Sequence, residues 1–382
     1  MKTITNFLLL TLLASFLSLP APAATWTNWN SGQSIGSFFA VAGTATETVA
    51  AGIDGLIATR NNATGVWTLQ TFPGDPDFRG IVYANGQYVL VREGGSIMTS
   101  QNGTTWTSRT SPTTNNLLGI LWDDRQYLAG GDNGTILTSP NGITWTSRAS
   151  GSTISIGGFA HSGSRYVAAG QNGIRISSDS VTWTAPATAP TSVWFTTCTW
   201  TGSQFLACGL GFGSTPTIYT SPDGNTWTRR NSTITNSLRA AITLSGEIYI
   251  AGDSVIKKSI DGGSTWTDTY TNPTGSEFFM GLAYNGQYLL AAGFNHNVSA
   301  MSVPSTPPSI ISDLSILQAV ALQWPTQTGK TYQVQSSSEL TTWENFGATI
   351  SGDGSVKTVY DIPGQATKKF YRVQVTSQNA GR

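Results

Sequence analysis

Charge is what this sequence has least of. Only 10% of its residues are charged, against roughly 25% in an average soluble domain. The 20 Lys and Arg cancel the 20 Asp and Glu. That balance argues against a nucleic-acid partner, whose affinity rests on clustered cations releasing counterions from phosphate. Histidine is almost missing, with 2 in 382 residues. No His-rich metal spacing, no Gly-x-Ser-x-Gly elbow and no phosphate loop occur, so no cofactor or metal is expected and no catalytic constellation stands out. Cysteine is equally scarce. If Gly202-Ser203 forms a two-residue turn, Cys198 and Cys208 lie on adjacent strands but point to opposite faces; a looser turn would let them pair as a disulfide.

Long apolar runs are confined to the start of the chain. Lys2, the run from Phe7 to Leu19 and Pro20-Ala21-Pro22-Ala23-Ala24 form a basic start, a short hydrophobic core and a small-residue cleavage site. Residues 1–24 therefore read as a signal peptide, and the mature protein as secreted, periplasmic or on the cell surface. The run is short for a bilayer, and no second one follows, so no membrane span is expected in the mature protein.

What the sequence has in plenty is 42 Gly, 13 Trp and turns rich in Ser and Thr. One phrase keeps returning, most fully as Ser259-Ile260-Asp261-Gly262-Gly263-Ser264-Thr265-Trp266, and one residue shorter before Trp106, Trp145 and Trp227. Worn copies end at Trp67 and Trp183. The Trp positions 26, 67, 106, 145, 183, 227 and 266 are separated by 41, 39, 39, 38, 44 and 39 residues. A period near 40 marks an array of units that cannot bury their faces alone. Each unit reads as four short antiparallel strands bounded by Gly, Asn or Asp, where positive φ is needed.

The units run at Phe38 to Thr68, Phe78 to Arg109, Gly119 to Arg148, Ile156 to Thr184, Phe195 to Arg229 and Leu238 to Thr267. The last, Phe279 to Ser302, lacks its outer strand, which Thr25-Trp26-Thr27 can supply. The fold class is thus all-β: a seven-bladed β-propeller over residues 25–302, closed by the N-terminal strand. Closure into a ring removes the exposed edges of the sheets. A Pro-rich linker follows at 303–309. Period-two segments then predict a β-sandwich module at 310–376, with a tail at 377–382.

The phrase Ser-x-Asp-x-Gly-x-Thr-Trp is similar to the Asp-box, or BNR repeat, of sialidases, sortilin-type receptors, some endoglucanases and photosystem assembly factors. That resemblance implies a propeller. Because the family spans hydrolases, receptors and scaffolds, it does not choose among functions. The sialidase pattern is not met: Arg79 and Arg239 occupy matching positions near the ring axis, but Leu118, Gly157 and Met280 hold the equivalents. The phrases Leu322-Gln323-Trp324-Pro325 and Phe370-Tyr371-Arg372-Val373 resemble C-terminal accessory modules of exported bacterial proteins.

The inter-blade loops and the second-to-third-strand turns should share one rim. On it fall Arg79, Arg239 and the carboxylates Asp54, Glu93, Asp132 and Asp253. After patterned rings are subtracted, Trp29, Trp194, Phe72, Tyr270, Phe212 and Phe294 are left near that face. His296 lies in a predicted loop there, whereas His161 takes a place held elsewhere by Tyr83, Trp122, Trp200 and Tyr284 and reads as a packed ring. Spare aromatics beside Asn, Thr and Ser on a neutral surface suit sugar stacking. The expected function is a non-catalytic binding or scaffold module for glycan or surface polysaccharide. The rivals are a glycoside hydrolase using two rim carboxylates and an assembly factor that binds an envelope protein.

Overall fold

The computed structural model describes residues 25–29, 36–72, 76–188, 190, 192–211, 216–230, 233–271, 277–294, 297–303, 320–361 and 370–378. The predicted signal peptide, His296, Phe212 and most of the predicted linker lie outside these residues. The chain divides into two compact units, with the boundary between Pro304 and Ser305.

Among the described residues the first unit holds seven antiparallel sheets. Their innermost strands are Phe38–Gly43, Phe78–Ala84, Leu117–Trp122, Ile156–His161, Val193–Trp200, Leu238–Leu244 and Phe279–Tyr284, and we number the sheets 1 to 7 in that order. Each innermost strand packs against the next, and that of sheet 7 packs against that of sheet 1, so the sheets close into a ring. Sheet 7 is completed from the other end of the chain. Trp26–Asn28 pairs with Asn297–Ser302 in the register Trp26 with Met301 and Asn28 with Ser299.

The packing between sheets follows from period-two alternation, because each sheet is apolar on both faces and neighbouring sheets share a cluster. Leu90 and Tyr88 of sheet 2 pack with Val49 and Ile57 of sheet 1, while Val89 and Val91 face Tyr127 and Leu137 of sheet 3. Cys198 and Cys208 follow the same rule. Both are buried free thiols, Cys198 in the seam between sheets 4 and 5 and Cys208 in that between sheets 5 and 6.

The recurrent phrase forms the turn into the outer strand. In its fullest copy an oxygen of Asp261 accepts the N–H groups of Ser264 at 3.0 Å and Thr265 at 2.9 Å, and the Ser259 hydroxyl donates to it at 2.8 Å. The shorter copies repeat this with Asn102, Asn141, Asp179 and Asp223. Their indoles add a bond the longer copy lacks: Trp106, Trp145, Trp183 and Trp227 donate Nε1–H to the backbone carbonyl three residues earlier at 3.0, 3.1, 3.0 and 2.7 Å. The extra residue before Trp266 leaves its buried Nε1–H without an acceptor among the described residues.

Sheet 4 departs from the repeat grammar, which predicts four strands up to Thr184. It has three, ending at Gly173–Ser177, with a single bridge from Ile176 to Thr184. The cause is Pro186. Where Arg148 pairs with Ile136 in sheet 3, the residue that would face Ile174 is Pro186, which has no N–H to give the ladder. The guanidinium of Arg175 donates to the Ile174 carbonyl instead, at 3.1 Å. The chain then crosses to sheet 5, where the Ala187 N–H donates to Asn225 at 2.8 Å.

The second unit comprises a two-stranded sheet, Val320–Pro325 with Val356–Asp361, and a four-stranded sheet centred on Lys330–Ser337 and Phe370–Gln378. Trp324 of one sheet meets Tyr332 of the other, with ring centroids 6.3 Å apart. This contact joins the two layers.

Candidate functional site

All seven innermost strands carry a bulge at their second or, in sheet 5, fourth residue. The residue before each bulge is fully buried: Phe38, Phe78, Leu117, Ile156, Phe195, Leu238 and Phe279. Bulges re-aim side chains. Here the bulged residues Phe39, Arg79, Leu118, Gly157, Thr196, Arg239 and Met280, one from each sheet, are partly exposed around the mouth of a central cavity of about 610 Å³. Gly or Ala follows the bulge in six of the seven strands, and Thr197 in sheet 5, where the inner strands approach closely. A Cβ on Gly158 would lie 2.8 Å from the Thr197 backbone, and one on Gly119 2.2 Å from the Gly157 carbonyl oxygen. We term this end of the ring the upper mouth.

Arg79 and Arg239 both reach the cavity, and both are paired. Arg79 forms ion pairs with Glu93 and with Asp77, the latter at 3.2 Å. Its guanidinium lies 3.9 Å over the ring of Phe39. Phe39 in turn meets Phe294 edge-on at 5.1 Å, so residues from sheets 2, 1 and 7 hold one another. Arg239 pairs with Asp253 at 3.1 Å. In both sheets the carboxylate sits fourteen residues after the guanidinium, on the second-to-third-strand turn. Asp132 accepts the Asn116 amide at 2.9 Å, and Asp77 also accepts the Asp54 N–H at 3.1 Å. The carboxylates of Asp77, Glu93, Asp132 and Asp253 are thus bonded to their own partners, not set in an open acid and base pair.

The aromatic residues are distributed differently from the expected sugar groove. Trp29 meets Tyr288 edge-on at 4.9 Å, carries Arg60 over its face at 4.0 Å and accepts Trp67 Nε1–H on its carbonyl at 3.2 Å, which closes the seam between sheets 7 and 1. Tyr270 lies edge-on to Phe279 and Trp26, and its hydroxyl donates to Glu277. Phe72 caps Phe78 at 6.0 Å. Trp194 alone of these presents a large open surface: it is 56% exposed, on backbone fixed by pairing to Leu210 and Gln171. Of the residues singled out in the sequence, the upper mouth thus gathers Arg79 and Arg239, with Trp194 at its edge; Trp29 and Tyr270 sit in the seams. Asp77 and Phe39 were missed, although the shared spacing of the two Arg–carboxylate pairs was available in the sequence.

Among the described residues no group of three or more His, Cys, Asp or Glu is placed to hold a metal. No helix among them is long and apolar enough to cross a membrane.

Comparison with solved structures defines the class. The chain is similar to YCF48 bound to a D1 peptide, at 13% identity, with a TM-score of 0.57 over 75% of this chain and 98% of that one. It is similar also to YCF48 from Cyanidioschyzon merolae, at 16% identity, with a TM-score of 0.55 over 74% and 99%. Virginiamycin B lyase from Staphylococcus aureus gives 11% identity and a TM-score of 0.63 over 73% and 99%. The class is therefore the β-propeller. No protein-family model and no curated protein matches the sequence.

Proposed function

We propose that this protein is a non-catalytic binding or scaffold module whose upper mouth receives a basic segment of a polypeptide partner. One observation carries the reading: among the described residues of that rim, Asp54, Asp77, Glu93, Asp132, Asp253 and Glu277 outnumber Arg79, Arg92 and Arg239. The chain as a whole is neutral, so this local excess of negative charge favours a cationic partner. Bonded carboxylates suit recognition more than acid–base chemistry, which needs one carboxyl free to protonate a leaving group. YCF48, a protein of like fold, has been solved with a peptide bound.

The recurrent turns support an Asp-box type of repeat, because Asp or Asn accepts the turn N–H groups in five copies. The basic start, apolar run and small-residue site support export to the periplasm, cell surface or medium. A second reading, a neutral glycan on the same face, is favoured by the open indole of Trp194.

Selection from a random peptide library on the mature protein, followed by calorimetric titration of the selected peptides, tests the first reading. Lys- and Arg-rich peptides should be enriched, bind less tightly as salt rises, and weaken about tenfold with Glu93→Gln plus Asp253→Asn, the loss of charge pairs worth roughly 1.4 kcal/mol. Failure to enrich any peptide, or enrichment of peptides indifferent to both changes, would sink it.

A further inference from the structure

The opposite end of the cavity, the lower mouth, is chemically unlike the upper one. The innermost strand ends on an aromatic ring in sheets 3, 4, 5 and 7, Trp122, His161, Trp200 and Tyr284, and carries one next to its end in sheet 2, Tyr83. All five are partly exposed and line the cavity. The first four come from successive sheets and form an arc with one ring per sheet. Each rests on a ring within the first two residues of the second strand of its own sheet, with centroid separations of 4.7 Å for Tyr83 on Tyr88, 4.5 Å for Trp122 on Tyr127, 4.0 Å for His161 on Tyr166 and 4.7 Å for Trp200 on Phe205. In sheets 2, 3 and 4 that second ring contacts the turn Trp in turn, at 6.3, 6.4 and 6.3 Å. The arc is therefore braced from behind, and its rings cannot fold away from the cavity without unpacking the sheets.

The hairpins of this mouth are short, and those of sheets 2, 5, 6 and 7 turn on uncharged pairs, Asn85-Gly86, Gly202-Ser203, Ser245-Gly246 and Asn285-Gly286, whereas those of sheets 3 and 4 carry Asp123, Asp124, Arg125 and Arg165. The charges that do occur there nearly balance, Glu47, Asp123, Asp124 and Glu247 against Arg125, Arg165 and Lys258, and Glu247 is already bonded to Lys258 at 2.8 Å. Asp123 is buried and accepts the Tyr166 hydroxyl at 2.6 Å and the N–H groups of Arg125 and Gln126 at 2.9 and 2.8 Å. Burial holds the His161 imidazole below its usual pKa, which keeps that ring neutral near pH 7.

We infer that the lower mouth is a second binding site, which takes an uncharged glycan chain laid across Tyr83, Trp122, His161 and Trp200. Sugar rings have apolar C–H faces that stack on aromatic surfaces, and hydroxyl edges that exchange hydrogen bonds with Asn, Ser and backbone groups at hairpins. The nearly balanced charge matches a ligand without charge, and one ring per sheet gives a polymer several successive subsites. Among its described residues the upper rim offers an acidic surface and a single open indole, so the two mouths would engage different molecules at once. This site does not depend on the polypeptide reading of the upper mouth.

The test uses the mature protein with neutral hexasaccharides of β-1,4-glucose, α-1,4-glucose, β-1,4-mannose, β-1,4-xylose and β-1,4-N-acetylglucosamine. Calorimetry should give saturable binding with at least one of them, weakened about tenfold or more by Trp122→Leu or Trp200→Leu and unchanged by Trp194→Ala. Oxidative footprinting of the wild-type protein gives a readout that needs no variant: the bound sugar should shield Trp122 and Trp200 and leave Trp194 reactive. Absence of saturation across the five sugars overturns the proposal, as does binding that shields Trp194 and is lost with Trp194→Ala.

Discussion

Truncating Trp145 is the sharpest test of how the ring is held together. The indole is 7% exposed in the cluster shared by sheets 2 and 3 and donates to the Gly142 carbonyl at 3.1 Å. Burying such a ring removes about 150–250 Å² from water, worth roughly 4–6 kcal/mol at about 25 cal/mol/Å². A realistic unfolded state, already partly collapsed, lowers this to about 3–5 kcal/mol, the range of measured Trp→Ala losses. Trp145→Ala should then lower the melting temperature of the ring by about 6–20 °C, at roughly 2–4 °C per kcal/mol for a unit of this size. A paired comparison isolates the hydrogen bond. Trp145→Phe loses the bond and strands a carbonyl, whereas Trp266→Phe removes a buried N–H that has no acceptor, so the first should cost about 1 kcal/mol more than the second. Scanning calorimetry of the three variants reads both effects. An unchanged melt for Trp145→Ala, or equal losses for the two Phe variants, would refute the reasoning.

Other expectations follow from single features. Thr27→Pro removes a ladder N–H from the closing strand, which pairs with Ala300, and should open the ring at a cost of about 3 kcal/mol or more, seen as an early loss of amide protection at 297–302. Pro186→Arg restores an N–H opposite Ile174 and should slow amide exchange in Gly173–Ser177; unchanged exchange would show that more than Pro186 blocks the fourth strand. The two thiols are buried and shifted upward by burial, Cys208 to about 12, so neither should react with a disulfide reagent at pH 8 until denaturant is added, after which both should react. Asp179 is held down to about 2, first by the N–H groups of Thr182 and Val181 and then by the Ser177 hydroxyl. Its unfolded value is near 3.9. The contribution is therefore present above about pH 4 and is lost as pH falls towards about 2, a loss that Asp179→Asn should remove from an acid titration of stability.

The ring could be read from the sequence because one periodic device repeats. Seven Trp at nearly equal spacing require equivalent seams, and a strand at Thr25-Trp26-Thr27 without preceding partners requires closure across the termini. Pro186 carries its own signal, but the phrase ending at Trp183 masked it, since the turn forms whether or not a strand follows. The site was legible in position more than in role. Arg79 and Arg239 fall where the bulges aim them, yet the bulge is a property of register and leaves only a faint mark, an apolar residue followed two places later by Gly or Ala in six of the seven strands. Trp29 and Tyr270 looked spare because the patterned Trp positions did not claim them; a sequence does not reveal that a ring closed between its ends needs extra apolar caps at its seams. The rings of the lower mouth were visible as a column of aromatic residues. Sequence could not tell which part of each ring faces the cavity and which rests on the second strand.

Hydrogen–deuterium exchange of the mature protein with and without a selected basic peptide tests the central proposal most directly. The account predicts slowed exchange at 76–80, 92–95, 238–240 and 252–254, where the paired guanidinium and carboxylate groups of the upper mouth reside. Protection confined to the outer strands, or to the hairpins of the lower mouth, would contradict it.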